Sequence, residues 1–485
     1  MSLSAVSIVD PWSVEFVNSL IKEFRADWEA LLSERLSRRA DPRGQLQVLM
    51  SMPVADVVID PLWRCNEPPR DLRERRVEIV GPAVDPRIAI DAMNSGASGY
   101  IADGEDSLCP TWSNVHRTQR HVWALARGAL QVEDNGTFFR LASKRATLHY
   151  RPRGLHMVDV SWKPGHREPA CLIDVGLFVY HNARALLDRG SGPYLYLPKL
   201  ETEHEARFWY RVASWMEGRL NLPKCSVRYT VLVETLPALL RLEPIVYALR
   251  KRLVGLSAGR WDYIFSCIKT LSSEGYVSPD RRELTSWQPQ LVEYARWIVN
   301  VARRRGTIAL GCAVLAEEVE LGYDGTLVTS VDEVGAAMEV FGGSVGSRSS
   351  VGPDNLNVKL ATLPMSGEVT WAGAREAARS LLIYFGAWMG GIGRVNVDGK
   401  IEDMAVVEVS RALLWSWVRM GRLPRAAVET VIRGEEAALA AAGTEPRRDV
   451  VEMLLRSIFT PSPPEFITNP AYDVVVSAAK SFEVR

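Results

Sequence analysis

The 485-residue sequence has no net charge, because 58 Lys and Arg residues balance 58 Asp and Glu residues. A chain without excess charge is not drawn as a whole to polyanions, so we expect no general binding to nucleic acid or to anionic membranes. Lysine is scarce, with 10 residues against 48 arginines. This bias is typical of either a GC-rich genome or a hot habitat. Local basic runs such as residues 303–305 are best interpreted as solvated helix ends.

The six cysteines are scattered and contain no Cys-x-x-Cys pair: Cys65, Cys109, Cys171, Cys225, Cys267 and Cys312. This spacing gives no sign of a zinc site or a disulfide framework, and it suits reduced thiols in a cytosol. The sequence has no basic-then-apolar leader and no apolar run near the roughly 20 residues that span a bilayer. We therefore expect a soluble, untargeted, cytoplasmic protein.

Phosphate-binding motifs and internal repeats are also missing. Residues 390–403 are rich in glycine, but they have neither the Lys-Ser/Thr pair of a P-loop nor a strand-turn-helix dinucleotide unit, so we interpret them as a loop. Residues 342–355 are rich in Gly and Ser, which is typical of a linker or a mobile loop.

What the sequence does contain, with 47% apolar residues, is a series of short apolar runs, many of them followed by a helical pattern. Eight strand candidates with intervening helices over roughly 250 residues are typical of a (β/α)8 barrel. Short apolar runs also occur in buried helices, so periodicity alone leaves that alternative open. The candidates are residues 76–80, 99–103, 148–151, 194–198, 229–234, 262–266, 307–311 and 326–329.

Helical patterns flank the predicted barrel. Phe16, Leu20, Phe24, Trp28, Leu31 and Leu32 have the spacing of an amphipathic helix over residues 12–40. Further helices are predicted at about 371–389, 403–420, 424–442 and 448–459. We therefore predict four segments, which are an N-terminal helical clasp and irregular arm (1–72), the barrel with extra structure at about 107–147 (73–341), a linker (342–370) and a C-terminal helical domain (371–485).

Two carboxylates stand at the edges of apolar runs in the predicted barrel. Glu234 follows the β-branched run 229–233, and Asp262 lies in the stretch Gly-Arg-Trp-Asp-Tyr-Ile-Phe at 259–265. Barrel enzymes keep their chemistry at the carboxyl ends of the strands. One Glu and one Asp, with water and substrate, are sufficient ligands for Mg²⁺. The alternative is that each acid is a salt-bridge partner or a helix cap.

In order and spacing, a set of motifs across about residues 70–420 resembles the malate synthase family, in its shorter A type. The motifs are RRVEIVGP at 75–82, ADGEDS at 102–107, RPRGLH at 151–156, HN at 181–182, GSGPYLYLPK at 190–199, VETLP at 233–237, GRWDYIF at 259–265 and IED at 401–403. The resemblance implies a TIM barrel with an N-terminal clasp and a C-terminal cap. It also implies condensation of acetyl-CoA with glyoxylate, which gives malate and CoA.

The resemblance assigns roles to individual residues. It implies that Arg151 and Asp403 are catalytic, with Asp403 as general base and Glu402 as its rival. Glu234 and Asp262 would bind Mg²⁺.

The same resemblance implies two further contacts with substrate. The turn Gly259, Arg260, Trp261 and Asp262 would bind glyoxylate through its amides, together with Arg151 and Glu234, and Ser107 would contact CoA. From the residues alone, Arg151 is as readily an ion-pair partner of Glu105 or Asp106, and Ser107 a helix N-cap.

The sequence departs from the family pattern in loops expected to hold the acyl-CoA, at residues 311–317 and 324–331, and in Arg394, which would either meet a phosphate or face solvent. Three functions stay open: a malate synthase, a related CoA-ester lyase or aldolase that does not hydrolyse the thioester, and a degenerate, non-catalytic barrel. The sequence gives no indication of the oligomeric state.

Overall fold

A computed structural model describes residues 7–40, 44–314, 316–342, 355–444, 446–462 and 465–483. Residues 343–354, which form the Gly/Ser-rich part of the predicted linker 342–370, lie outside the described residues. In the part of that linker which is described, a short helix forms at Val358–Ala361. The linker therefore stays a prediction.

One long helix, Pro11–Ala40, opens the fold, as the apolar spacing predicts. The Asp10 carboxylate accepts hydrogen bonds of 2.9 Å from two amides of the first turn and so caps the helix. Five of the six predicted apolar positions are buried, and Leu32 is half-buried. This face packs on the barrel helices Ala170–Leu187 and Glu203–Arg219, so the helix clasps the outside of the barrel.

Eight parallel strands close into a barrel in which each strand pairs with its neighbours in chain order and β8 pairs with β1. The predicted fold class, a (β/α)8 barrel with a clasp and a cap, is confirmed. The strands are β1 Val77–Pro82, β2 Gly99–Asp103, β3 Thr147–Arg151, β4 Tyr194–Leu197, β5 Arg228–Val233, β6 Leu253–Ala258, β7 Ala309–Gly311 and β8 Gly325–Val328.

The prediction of the sixth strand is wrong. Residues 262–266 lie in the helix Arg260–Leu271, and the strand is Leu253–Ala258. All five residues of 262–266 are buried, so this run has no polar side from which a helical period would be visible. The real strand contains Gly255, where a Cβ would lie 2.5 Å from Nη1 of Arg75. Glycine is therefore needed there, and it weakens the strand pattern.

Helices cover the outer face of the barrel, and side chains of the strands themselves fill its interior, so the strands are buried on both sides. They are Pro86–Asn94, Trp112–Arg127, Ala170–Leu187, Glu203–Arg219, Leu236–Leu240, Leu242–Leu249, Arg260–Leu271, Pro289–Arg305, Ala316–Leu321 and Val331–Phe341.

The helix Ala170–Leu187 is long and apolar enough to cross a membrane by length and composition, with 18 residues and a mean hydropathy of 1.2. It is 72% buried inside the protein, where it packs against the N-terminal helix and the helix Trp112–Arg127. These contacts are those of a core helix. From the sequence we expected no run long enough to span a membrane. This helix was not recognised as one because Asp174 and His181 interrupt its apolar residues.

Two connecting segments contain more order than the sequence pattern indicates. The extra structure predicted at about 107–147 consists of the helix Trp112–Arg127 and an antiparallel hairpin, Gln131–Asp134 with Thr137–Arg140. The arm predicted as irregular contains the helices Gln45–Ser51 and Asp56–Ile59 and a 3₁₀ turn at Arg70–Leu72. A two-residue strand pair, Val158–Asp159 with Glu168–Pro169, follows β3.

The C-terminal helices lie close to their predicted positions, at Trp371–Met389, Met404–Arg419, Arg425–Ala441 and Arg448–Ile458. A further helix, Thr468–Glu483, was not predicted. The segment 390–403, predicted as a loop, contains a hairpin of Val395–Val397 with Lys400–Glu402.

These helices cover the barrel at the edge where its strands end. The Met404 amide donates a hydrogen bond to the carbonyl of Asp106 (3.1 Å), just beyond β2. The Trp417 indole donates to the carbonyl of Ser278 (2.8 Å), in the segment after the helix Arg260–Leu271. The cap is thereby fixed on the face where a barrel holds its functional groups.

Candidate active site

A cavity of about 140 Å³ lies between the strand ends and the C-terminal domain. Four side chains named from the sequence line it together: Arg151, Glu234, Asp262 and Asp403. Arg151 ends β3, Glu234 follows β5, and Asp262 lies in the first turn of the helix after β6. Asp403 comes from the C-terminal domain. The structure thus brings together residues that lie up to about 250 positions apart in the chain.

Arg151 is held by acids on two sides. Its Nε and Nη2 donate to the two carboxylate oxygens of Asp103, each at 2.6 Å, and its Nη1 lies 2.9 Å from Oδ2 of Asp106. Burial alone would raise the pKa of Asp103, but the Arg151 charge lowers it to about 2. The ion-pair interpretation of Arg151 is therefore correct, and Asp103 is its principal partner. Arg151 still lines the cavity, so the pairing orients it without removing it from the site.

Lys199, which the sequence analysis did not assign, lies at the centre of the acids. Its Nζ lies 2.9 Å from Asp106, 3.1 Å from Glu105 and 3.3 Å from Asp262. Its backbone amide donates to Oε1 of Glu234 (2.6 Å). The φ angle of Lys199 is +53°, in the left-handed region. Such strain in a non-glycine residue is concentrated at functional sites.

The N-terminal helix holds Lys199 in this position. The Arg35 guanidinium donates to the Lys199 carbonyl (2.7 Å) and pairs with Glu205 (2.6 Å). Both Arg35 and Glu205 are buried. The clasp therefore contributes to the geometry of the site through the backbone of one residue.

The site holds more negative than positive charge. Three cations, Arg151, Lys199 and Arg260, lie among six acids: Asp103, Glu105, Asp106, Glu234, Asp262 and Asp403. Burial raises the pKa of Glu234 and raises that of Asp262 well above its ordinary value, and neighbouring carboxylates, Asp106 first, add to both shifts. Oδ1 of Asp262 is buried and has no hydrogen-bond partner among the described residues. Uncompensated charge and a spare carboxylate oxygen fit a hard divalent cation.

The turn before Asp262 combines a close approach with a helix start. A Cβ at Gly259 would lie 2.6 Å from Cβ and Oε2 of Glu234, so only glycine fits. The Gly259 amide already donates to the Tyr294 hydroxyl (2.9 Å), which corrects the expectation that this amide grips substrate. The first-turn amides at 260–262 have no acceptor within their helix, so they are the donors left for a carboxylate. Arg260 and Trp261 also line the cavity.

Asp403 and its neighbour Glu402 point to different partners. Asp403 caps the helix Met404–Arg419, where it accepts from the Val406 amide (3.3 Å), and it also lines the cavity. Burial and then the Asp106 charge raise the pKa of Asp403 to about 6. Glu402 is buried and pairs with Arg281 through two contacts of 2.8 and 2.9 Å. Only Asp403 of the two therefore faces the cavity.

A groove of about 570 Å³ adjoins the cavity and shares Val80 and Thr329 with it. Ser107 lines this groove, but it is not a helix cap, because its hydroxyl donates to Asp103 (2.6 Å). Arg394 also lines the groove and donates to the carbonyl of Thr329. It is half-buried, and it connects the C-terminal hairpin to the end of β8.

The loops that depart from the family pattern lie at these two spaces. Cys312, Leu327 and Thr329 line the cavity, and residues 329–331 line the groove. Burial and then Glu318 raise the pKa of the Cys312 thiol to about 11, so it is un-ionised at neutral pH. Leu315 lies outside the described residues.

The fold and the site define a barrel enzyme whose buried carboxylates and arginine meet under a helical cap. Residues 147–316 match the family model of the malate synthase TIM barrel domain, and residues 368–475 match the malate synthase C-terminal model. The chain is 36% identical to the malate synthase of Myxococcus xanthus, over 85% of this chain and 82% of the relative. It is also 36% identical to malate synthase A of Escherichia coli, over 84% and 81%. The chain belongs to the malate synthase family.

A solved structure, the magnesium/glyoxylate complex of Haloferax volcanii malate synthase, is more distant. Its sequence is 13% identical, its TM-score is 0.45, and the match covers 78% of this chain and 97% of that chain. A likeness this low shows nothing about the site.

Proposed function

We propose that the protein condenses acetyl-CoA with glyoxylate and water to give malate and CoA. The observation that carries the proposal is the placement of Arg151 and Asp403 on one cavity with Glu234 and Asp262. Deprotonation of a methyl group needs two groups. One is a carboxylate that acts as the base, and the other is a cation that balances the developing negative charge. The adjoining groove of about 570 Å³ is the space for the rest of the CoA thioester.

Mg²⁺ is the proposed cofactor, and Glu234 and Asp262 are its proposed ligands. Support comes from the excess of carboxylates and from the unpaired Oδ1 of Asp262. When bound, Mg²⁺ polarises the aldehyde of glyoxylate. The amides at 260–262 bind the glyoxylate carboxylate at the helix N-terminus.

The chemical steps assigned to the protein are few. Asp403 takes a proton from the acetyl methyl group, and the Arg151 guanidinium balances the charge of the resulting enolate oxygen. The enolate carbon forms a bond to the aldehyde carbon of glyoxylate, whose oxygen becomes the malate hydroxyl after protonation. Water then cleaves the thioester, which releases malate and CoA thiol. Lys199 holds Asp106 and Asp262 in place during these steps.

The direct test measures CoA thiol release after the protein is mixed with Mg²⁺, acetyl-CoA and glyoxylate, and identifies malate as the product. We expect one thiol for each malate, and no release when either substrate or the metal is omitted. A product that keeps its thioester would assign the chain instead to CoA-ester lyases or aldolases. No reaction with any acyl-CoA would leave a non-catalytic barrel.

We also propose a cytoplasmic, reducing compartment. The proposal is supported by the six cysteines, all of which are free thiols.

A further inference from the structure

A third large space, which we name the basic cavity, lies between the N-terminal helix, the end of the helix Arg260–Leu271 and the C-terminal domain. Its volume is about 610 Å³, and its described lining shares no residue with the active-site cavity or the groove. Small-molecule sites have volumes of roughly 300–1,000 Å³. The groups that decide its chemistry are Arg39, Lys269, Thr270, Ser272, Arg419 and Glu465.

Lys269 is a half-buried cation in this cavity. Its Nζ lies 4.7 Å from the ring centroid of Phe265 and 4.8 Å from that of Phe466. It makes no hydrogen bond or ion pair with any residue that the structure describes. Ring faces attract an ammonium but leave its three N–H donors unused. A partly desolvated ammonium with unused donors favours an oxygen-rich anion beside it.

The other charges of the lining leave the cavity positive. Arg39 is committed to acids, since it pairs with Glu201 (2.5 Å) and with Glu465. Glu465, the acid of the lining, pairs with Arg39 through Oε2, while its Oε1 has no hydrogen-bond partner among the described residues. Arg419 ends the helix Met404–Arg419, is exposed, and has no ion pair within the described ranges. Two cations that make no direct ion pair with any described residue, Lys269 and Arg419, therefore line the same space, with Glu465 and Glu201 as the more distant counter-charges of Lys269.

We propose that the basic cavity binds a small organic phosphate, with the phosphate group held by Lys269 and Arg419. A phosphate has enough acceptor oxygens to take an ammonium, a guanidinium and the hydroxyl of Thr270 at once. The hydroxyl of Ser272 donates to the Lys269 carbonyl (3.4 Å). The volume beyond the phosphate accommodates the organic part of the ester.

The protonation of Lys269 agrees with this assignment. Burial and then the Arg39 charge lower the pKa of Lys269 to about 8, and a bound dianion acts in the opposite direction. Binding near pH 8 should therefore take up a fraction of a proton. The titratable and charged groups around Lys269 are Arg35, Arg39, His156, Glu201, Glu465 and, on the far side of Phe265, Arg411.

The test is isothermal titration calorimetry of the full chain with glycerol 3-phosphate and, in parallel, with inorganic phosphate. We expect Lys269→Met and Arg419→Gln each to weaken glycerol 3-phosphate binding by about tenfold or more, because each removes a charged donor. The matched control is Arg422→Gln, an exposed arginine nearby that does not line the basic cavity, and its affinity should equal that of the wild type. Titrations at pH 8 in two buffers of different ionisation enthalpy should show proton uptake, which Lys269→Met abolishes.

Several results would overturn the proposal. One is absence of wild-type binding at about 10 mM ligand, and another is unchanged affinity in both variants. Equal affinity for inorganic phosphate would overturn the assignment to an ester. If Lys269→Met fails to fold, Arg419→Gln decides alone, because its side chain is exposed. Thiol release by Arg419→Gln should match the wild type, so this test is independent of the catalytic assignment.

Discussion

Arg151 donates two hydrogen bonds of 2.6 Å to Asp103, from Nε and from Nη2. This fork fixes the plane of the guanidinium and leaves Nη1 as the group beside Asp106. A buried arginine held on one edge is a preoriented cation, so it needs no reorganisation when charge develops on a substrate oxygen. The pairing that the sequence left as an alternative to catalysis thus orients the group that we propose to be catalytic.

We expect Arg151→Lys to lower kcat by about 10²–10³-fold although the charge is kept. A lysine ammonium cannot reproduce the two-point contact with Asp103, so its position in the cavity is not fixed. Steady-state kinetics with both substrates at saturation measure the effect. A kcat near that of the wild type would give Arg151 a purely structural role.

Asp403→Asn should lose condensation by about 10²–10⁴-fold, because it removes the positioned base. It should also stop exchange of the acetyl methyl protons with deuterated water, while Mg²⁺ and glyoxylate still bind. The matched variant is Glu402→Gln, which keeps a carbonyl oxygen for Arg281 and lies away from the cavity. If Glu402→Gln lost the proton exchange, or if Asp403→Asn retained it, the assignment of Asp403 as the base would be wrong.

The pH dependence of kcat should report Asp403. A base works when ionised, and the pKa of Asp403 is raised to about 6, so kcat should rise with pH through that region and level off above it. The positive charge of bound Mg²⁺ lowers the pKa of Asp403, so the rising limb of the kcat profile should lie at or slightly below this value. Glu402→Gln should keep the limb. An activity that is constant from pH 5 to 8 would exclude Asp403 as the titrating base.

Mg²⁺ should stabilise the folded protein without any substrate present. At a hundredfold excess over Kd the gain is about 2.7 kcal/mol, measured by thermal unfolding with Mg²⁺ and with chelator. The double variant Glu234→Gln, Asp262→Asn should show no gain, because it removes the charge that the ion compensates. An equal gain in that variant would place the ion elsewhere.

Gly259→Ala should weaken Mg²⁺ binding more than it weakens the fold. The new Cβ would lie 2.6 Å from Glu234, so the carboxylate has to move. The matched control is Gly434→Ala in the helix Arg425–Ala441, where nothing lies within 4 Å of the added Cβ. That change should preserve metal affinity and stabilise the helix by about 1 kcal/mol. Equal metal affinity in the two variants would contradict the tight approach.

Sequence patterns locate the barrel because most strands are short runs set between polar turns. The sixth strand was not predicted because it contains Gly255, which the close approach of the Arg75 side chain requires and which weakens the strand pattern. The buried helix that follows has an unbroken apolar run and was taken for the strand. The helix Thr468–Glu483 escaped for a related reason, since Pro470 in its first turn reads as a helix breaker although proline is tolerated there.

Glu234 and Asp262 were identified because each stands at the edge of an apolar run, and Arg151 because it ends one, whereas Asp403 was assigned only from the family resemblance. Lys199 was not assigned, although it directly follows a buried strand and Pro198. Its importance depends on a left-handed backbone and on contacts with residues about 60 to 95 positions away, which no local pattern encodes. The hydrogen bond from the Gly259 amide to the Tyr294 hydroxyl also depends on the tertiary structure, so local sequence does not predict it.

The division of the site between two domains sets an order for its appearance during translation. Asp403 follows the last barrel strand by about 75 residues. At synthesis rates of about 5–20 residues per second, roughly 4–15 seconds pass between the emergence of the two. A nascent barrel on the ribosome therefore already carries Arg151, Glu234 and Asp262, and under the proposed mechanism it stays inert toward acetyl-CoA until the cap delivers Asp403.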